Sequence, residues 1–394
     1  SNWQNILKIN DILKNRVNLG LSMQSLKVET LTDIKRKNWT TDQYFEFLNE
    51  LKKRDKASTS EMIIPLPSET EESYFEGIKF LMENNVQTRT FTLMMLCGAE
   101  LGRDKAINQF EMQSKYRILP KQFGKYCGKK VFEIEKVCVS TNTMNYQSYL
   151  NCRNFGFILR LLGHPAFIPV YKLTNKLGIS WFDFTKKLTN IIQKKGFTGK
   201  VKDLYDDFCK ESHNELFDTL EEARDFYTKD KNYNLLAKGD IGENLLSVYT
   251  AKGLLILEEI ITIVFQVLKN EFKHNTEIAI NLILESSEKW LKNLYALNAI
   301  IDKKKNEESY KANVTMEFDF PEWLKNTEMP LDKFVNETTY RLNFDLEKVD
   351  YISKQLKIAG DKGLKNQSNY IAKYIELAWF HEFNYFAKEF KRLN

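Results

Sequence analysis

Over its first hundred residues the chain alternates short β-rich runs with amphipathic stretches, and this rhythm constrains its fold more than any other feature. An amphipathic helix over Trp3 to Leu13 is followed by a β-rich run from Val17 to Gln24 and helical turns to Lys37. A helix from Thr41 to Arg54 follows, opened by Thr40 or Thr41. A second run, Ser60 to Pro65, meets the turn Pro67-Ser68-Glu69-Thr70, where Thr70 is placed to cap a helix carrying Tyr74, Phe75, Ile78 and Leu81. A third run, Thr88 to Leu96, ends at Cys97-Gly98. Alternation of this kind builds parallel sheet from βα units. Three strands cannot close a barrel, and an open sheet of three leaves a bare edge and an uncovered face, so the rest of the sheet is expected to be missing or supplied in trans.

The pattern then changes twice. From about Ala106 to Met144 the composition shifts toward basic residues and glycine, with a β-rich run at Lys130 to Ser140, and residues 106–145 are expected to form a connecting β-containing extension. Residues 146–394 carry mostly helical periodicity, at Tyr149 to Leu162, Ile179 to Lys194, Asn214 to Tyr227 and Leu254 to Lys273. Two β-prone pieces, Asn313 to Phe320 and Tyr340 to Asp345, precede expected helices at Leu346 to Ile358 and Ser368 to Arg392. The last holds an aromatic stripe of Trp379, Phe380, Phe383, Tyr385 and Phe386 that reads as a packed face. The expected class is α/β plus α, in units of 1–105, 106–145 and 146–394.

Composition narrows the function. The formal charge is only +5 with both signs interleaved, so no broad positive field is on offer to nucleic acid. Tyr116, Tyr126, Tyr146 and Tyr149 lie among Lys121, Lys125, Lys129 and Lys130, and packing is the favoured reading over base stacking. The most apolar stretch, Gly253 to Phe272, is interrupted by Glu258 and Glu259 and reads as a buried helix rather than a membrane span. No signal peptide is recognisable, which makes the cytoplasm the default compartment. The chain opens on Ser1 directly into a helix and reads as starting mid-protein.

Five cysteines (Cys97, Cys127, Cys138, Cys152, Cys209) show no C-x-x-C or C-x-x-x-C-x-x-C spacing. Cys97 reads as a small residue at a strand end rather than a reactive thiol. The four histidines sit in separate contexts without metal-ligand spacing, and His164, before a proline at a helix end, suits the helix dipole. No metal ligand is assigned.

Polar groups at the C-terminal ends of parallel strands face the side on which βα proteins bind ligands. There Gln24, Arg36 and Glu61 could share one cleft. Their chemistry suits an amino-acid-bearing nucleoside: Arg36 can grip a carboxylate bidentately, Glu61 can accept from an amine or ribose hydroxyl, and Gln24 can do either. The plainer alternative is that these residues cap helices or solvate loops, IKRK around Arg36 most readily.

The series GLSMQS (20–25), IKRKN (34–38), EMIIPLPSETEESYFEGIKFL (61–81) and FTLMMLCGAEL (91–101) resembles the last three βα units of radical S-adenosylmethionine barrels. Similar stretches there read GxQS, xxR, D-x-I-x-G-L-P-G-E-T-x-E-S and L-x-x-x-P-G-T. The run from Arg117 to Phe157 resembles the C-terminal extension of radical enzymes that carry an N-terminal cobalamin-binding domain.

The resemblance implies that residues 1–105 are the C-terminal half of a (β/α) barrel and that Gln24, Arg36 and Glu61 contact S-adenosylmethionine. It also implies that the backbone near Thr92 and Leu93 borders the adenosyl pocket. The parent would use a [4Fe–4S] cluster and cobalamin to generate a 5′-deoxyadenosyl radical or transfer a methyl group to a small-molecule substrate. Its remaining parts would be the other barrel half and a cobalamin domain. Ser68 and Cys97-Gly98-Ala99 replace the usual turn glycines, and Glu61 replaces the commoner Asp. The three cluster thiolates are missing, so this stretch alone is expected to be inert. The alternative is a non-catalytic, degenerate barrel that serves as a binding or structural module; C-x-x-x-C-x-x-C encoded directly upstream would favour the enzyme.

Overall fold

A computed structural model describes residues 3–13, 22–37, 41–54, 58–254, 256–272, 278–294, 311–344, 354 and 387–393. The elements are α1 (Trp3–Ile12), α2 (Val28–Asp33), α3 (Thr41–Lys53), β1 (Ser58–Ile64), α4 (Glu71–Glu83), β2 (Val86–Thr92), α5 (Asp104–Gln109), β3 (Gln113–Tyr126), β4 (Lys129–Ser140) and α6 (Tyr146–Leu162). There follow α7 (Ile168–Lys176), α8 (Trp181–Gln193), α9 (Lys200–Asn214), α10 (Leu220–Thr228), α11 (Asp230–Lys238), α12 (Leu245–Leu254), α13 (Leu257–Glu271) and α14 (Ile278–Leu294). The last are β5 (Lys311–Met316), α15 (Phe320–Lys325), β6 (Thr338–Phe344) and β7 (Ala387–Arg392). They divide into two compact units, residues 1–159 with 214–226, and residues 160–213 with 227–394.

The first unit is organised by a small mixed sheet. β1 and β2 run parallel, with Glu61 opposite Arg89 and Ile63 opposite Phe91. On the far side of β1 the chain at Gln24 joins in parallel: the Gln24 N–H donates to the Glu61 carbonyl (2.8 Å) and the Ile63 N–H to the Gln24 carbonyl (3.0 Å). Beyond β2, Leu93 takes a bond from the Cys138 N–H (2.9 Å) and Met95 gives one to the Lys136 carbonyl (2.8 Å). The antiparallel β3–β4 hairpin of the segment after residue 105 thereby extends the sheet. No closed barrel is present among the described residues.

Side chains alternate across a strand, so β1 presents Ser58, Ser60, Met62 and Ile64 to one side, all buried, and Thr59, Glu61 and Ile63 to the other. Helices cover the first side. In α4, a Cβ at Gly77 would stand 2.9 Å from the tip of Met62, and in α6 one at Gly156 would stand 2.3 Å from the Thr90 hydroxyl, so both helices lie close on the strands. α4 starts where its sequence says it should: the Thr70 hydroxyl accepts from the Ser73 N–H, and the Ser73 hydroxyl from the Thr70 N–H.

Several expectations are corrected here. Within the expected β-containing extension, β3 was not foreseen beside the run at Lys130 to Ser140; Pro120 lies in it at a register irregularity between Ile118 and Phe123. The expected helix from Asn214 begins only at Leu220, since Phe217 exchanges backbone bonds with Tyr116 (2.8 and 2.9 Å). Residues 17–21 of the first expected strand, Thr40, the helix at 346–358 (Lys354 apart) and the aromatic stripe at 379–386 lie outside the described residues.

The second unit is mainly helical. α13 buries Leu257, Ile261, Val264, Phe265 and Leu268 as the apolar face of a core helix, and among the described residues no helix is long and apolar enough to cross a membrane. β5, β6 and β7 form an antiparallel sheet against which Trp290 of α14 packs through Tyr340 and Phe390. Residues 387–392 are thus strand rather than the expected helix end. Ala, Lys, Glu and Arg favour helix locally, but the hydrogen-bonding edge of β6 outweighs that preference. His164 is also corrected: it is buried, burial lowers its pKa to about 4, and its Nδ1 accepts from the Ala166 N–H (3.1 Å). It acts as a neutral cap, not as a cation on a dipole.

Candidate functional site

The strand-end residues singled out from the sequence gather in part. Gln24 and Glu61 are neighbours through the backbone bond already described, with Gln24 half-buried and Glu61 exposed at the middle of β1 rather than at its end. Arg36 follows α2 after a left-handed turn at Lys35 (φ 52°), and its guanidinium donates to the Ser22 carbonyl, two residues before Gln24. The three residues therefore lie along the first strip of the sheet, Glu61 exposed and Gln24 and Arg36 half-buried, with Gln24 in register with Met62 of the covered side. Arg89, opposite Glu61, and Phe91, opposite Ile63, continue the same face outward and are exposed.

Thr92 and Leu93 part company. Thr92 pairs with Ile64 and so lies on the helix-covered side, where its hydroxyl meets that of Tyr149 in α6 (3.1 Å). Leu93 packs with Leu66, Met95, Phe110 and Met112, a cluster that Ile34 and Ile63 flank. Its N–H donates to the Ile64 carbonyl (2.7 Å) and its carbonyl accepts from Cys138, which leaves an apolar side chain as its means of touching a ligand.

The backbone at Gln24 is strained. Its φ is 58°, and the Ser25 N–H closes a three-residue turn onto the Met23 carbonyl (2.7 Å). A non-glycine residue in this region costs about 1–2 kcal/mol. Surrounding bonds hold it in place. The Met23 N–H donates to the Ser60 hydroxyl (3.1 Å), and the Ser25 hydroxyl donates to one oxygen of Glu69. Farther along, Lys27 Nζ donates to the Ser68 carbonyl (2.6 Å) and the Ser68 hydroxyl to Asp33 (2.5 Å). Ser68 itself has φ 60°, which accounts for glycine being usual at this turn in the proteins the motif resembles.

Glu69 was not singled out from the sequence, where S-E-T reads as a polar turn. It is fully buried. Ser25 donates to one of its oxygens and Ser73 of α4 to the other, while its carbonyl accepts from the Thr143 hydroxyl (2.7 Å). Burial raises its carboxyl above the usual range against the pull of Ser25, Ser73 and the Lys27 charge. The available signal was its position one residue before the cap of α4.

An iron–sulfur cluster does not fit the described residues. No group of three His, Cys, Asp or Glu side chains is placed to hold a metal ion among them. Cys97 and Cys127 are exposed, while burial pushes the Cys138 thiol up to about 12 and that of Cys152 higher still, away from the thiolate a cluster needs. S-adenosylmethionine asks for different groups, a cation for its carboxylate and acceptors for its amine and ribose, and Arg36, Glu61 and Gln24 supply those types.

No protein-family model matches the chain. Over 104 residues it is 33% identical to the cobalamin-dependent radical SAM methyltransferase TokK of Streptomyces tokunonensis. That stretch is 26% of this chain and 15% of the relative's length. The similarity is partial and distant; it suggests the radical S-adenosylmethionine family and a function of that broad kind.

Proposed function

We propose that the chain is the C-terminal part of a radical S-adenosylmethionine enzyme whose parent is cobalamin-dependent. In this reading residues 1–105 are the later half of the cofactor barrel, 106–145 the β-containing extension, and 146–394 a mainly helical domain. Arg36 grips the carboxylate of S-adenosylmethionine, Glu61 accepts from its amine or ribose, Gln24 orients the same end, and Leu93 offers an apolar wall. Once bound and reduced by a cluster, S-adenosylmethionine supplies a 5′-deoxyadenosyl radical or a methyl group; the chain's own residues position it and keep water away. Cluster and cobalamin ligands belong to other parts of the parent.

The observation that carries this reading is the parallel pairing of the 22–25 strip with β1, which sets Gln24 beside Glu61 with Arg36 bonded to the strip. The partial match to a cobalamin-dependent radical methyltransferase supports it. Titration calorimetry with S-adenosylmethionine tests it. Arg36→Ala is expected to weaken binding by about 1.5–3 kcal/mol, the scale of a hydrogen bond to a charged group. Binding that is undetectable in the unsubstituted chain, or unchanged in a folded Arg36→Ala variant, contradicts the assignment.

A further inference from the structure

The Glu69 carboxyl occupies a position where charge is costly, and its contacts indicate a specific task. A carboxyl taken out of water loses strong solvation and must find donors within the protein. Glu69 has two that come from different segments of the chain: Ser25, next to the strained Gln24, and Ser73, in the first turn of α4. The Ser25 hydroxyl also accepts from the Lys27 N–H (3.1 Å), so the carboxyl fixes the rotor on which the path of the chain after Gln24 depends. The Glu69 main chain is itself anchored, its N–H donating to the Leu66 carbonyl (3.2 Å) and its carbonyl accepting from Thr143. One end of the tie is therefore rigid. The other end is the segment whose backbone sits in an unfavourable region and is hydrogen-bonded to β1 at Glu61 and Ile63.

We propose that Glu69 is a positioning residue: its carboxyl ties Ser25 to the start of α4 and thereby holds the left-handed turn that places Gln24 beside Glu61. Glu69 itself touches no ligand. The tie is independent of what binds, and only its effect on cofactor affinity rests on the function proposed above.

The experiment compares the full chain with its Glu69→Ala, Glu69→Gln and Ser25→Ala variants. Amide hydrogen exchange is read across residues 22–26 and 61–64, alongside melting temperature and calorimetric binding of S-adenosylmethionine. In Glu69→Ala and Ser25→Ala, exchange of the Gln24, Ser25 and Ile63 amides is expected to rise about tenfold or more while that of α4 and β2 stays near its original rate, the pattern of a local opening. S-adenosylmethionine affinity falls about tenfold in parallel, and Glu69→Gln, which keeps an acceptor and adds a donor, retains most of both.

Should Glu69→Ala fail to fold, Ser25→Ala, which removes only a hydroxyl, decides the question. Unchanged exchange at Gln24 and Ile63 in a folded variant overturns the proposal, as does exchange that rises uniformly with lost stability. If the unsubstituted chain does not bind S-adenosylmethionine, the proposed function fails, and the exchange pattern still decides whether the tie exists.

Discussion

The two faces of the β1–β2 pair have the same strands, twist and alternation, yet opposite fates. On one, Met62, Ile64 and Thr90 lie under α4 and α6, whose Gly77 and Gly156 permit close approach. On the other, Glu61, Arg89 and Phe91 are exposed, with Phe91 retaining 46% of its surface. Parallel sheets are ordinarily covered on both sides. Packing therefore explains the first face completely, while the second carries charges and an aromatic ring that the described fold does not use. By register Gln24 pairs with Met62 and Thr92 with Ile64, both of the first face, while Arg36 is bonded to the strip at Ser22.

If the faces differ as described, substitutions on neighbouring residues of one strand should differ most. Met62→Ala, on the covered face, is expected to cost about 2–5 kcal/mol in chemical denaturation, whereas Glu61→Ala should shift stability by no more than about 0.5 kcal/mol. Equal losses would erase the distinction. A smaller effect separates the two glycines. By helix propensity alone, alanine gains about 1 kcal/mol at either. At Gly156 the new methyl meets the branched Thr90 on a strand, so Gly156→Ala is expected to lose about 1–3 kcal/mol; Gly77→Ala meets only the flexible end of Met62 and should be close to neutral. A stabilised Gly156→Ala variant would mean that α6 lies farther from the sheet.

The smallest effect is in pH dependence. The folded-state pKa of Glu69 is raised by burial, so the fold binds its proton more tightly than the unfolded chain does. Stability contributed at this position is therefore highest below the usual carboxylate range, falls as pH rises through it, and is lowest above the raised value. The Glu69→Gln variant should lack that slope, which denaturation at a series of pH values will reveal; identical slopes would place the carboxyl in water.

Much of the framework was legible because it depends on local chemistry. T-x-x-S marks the capping box of α4, and the spacing of Ile260, Ile261, Val264, Phe265 and Leu268 marks the buried stripe of α13. What was not legible depends on partners distant in sequence. The assignment of Thr92 to a face follows from its register with Ile64, and β7 becomes a strand only because β6 offers an edge. Glu69 is the sharpest case. Nothing in P-S-E-T announces burial, which arises because Ser25, Ser73 and Thr143 converge on it from three segments. The candidate site was accordingly proposed from residue types, Gln24, Arg36 and Glu61, while the hydrogen bonds that converge on Glu69 were not foreseen.

The most direct measurement is a comparison of amide exchange across the chain with and without S-adenosylmethionine. The account predicts slowed exchange concentrated in residues 22–37 and 58–64, with α13 and α14 of the second unit unaffected. Protection confined to the second unit, or none at saturating S-adenosylmethionine, would contradict the assignment of the open face as a cofactor site.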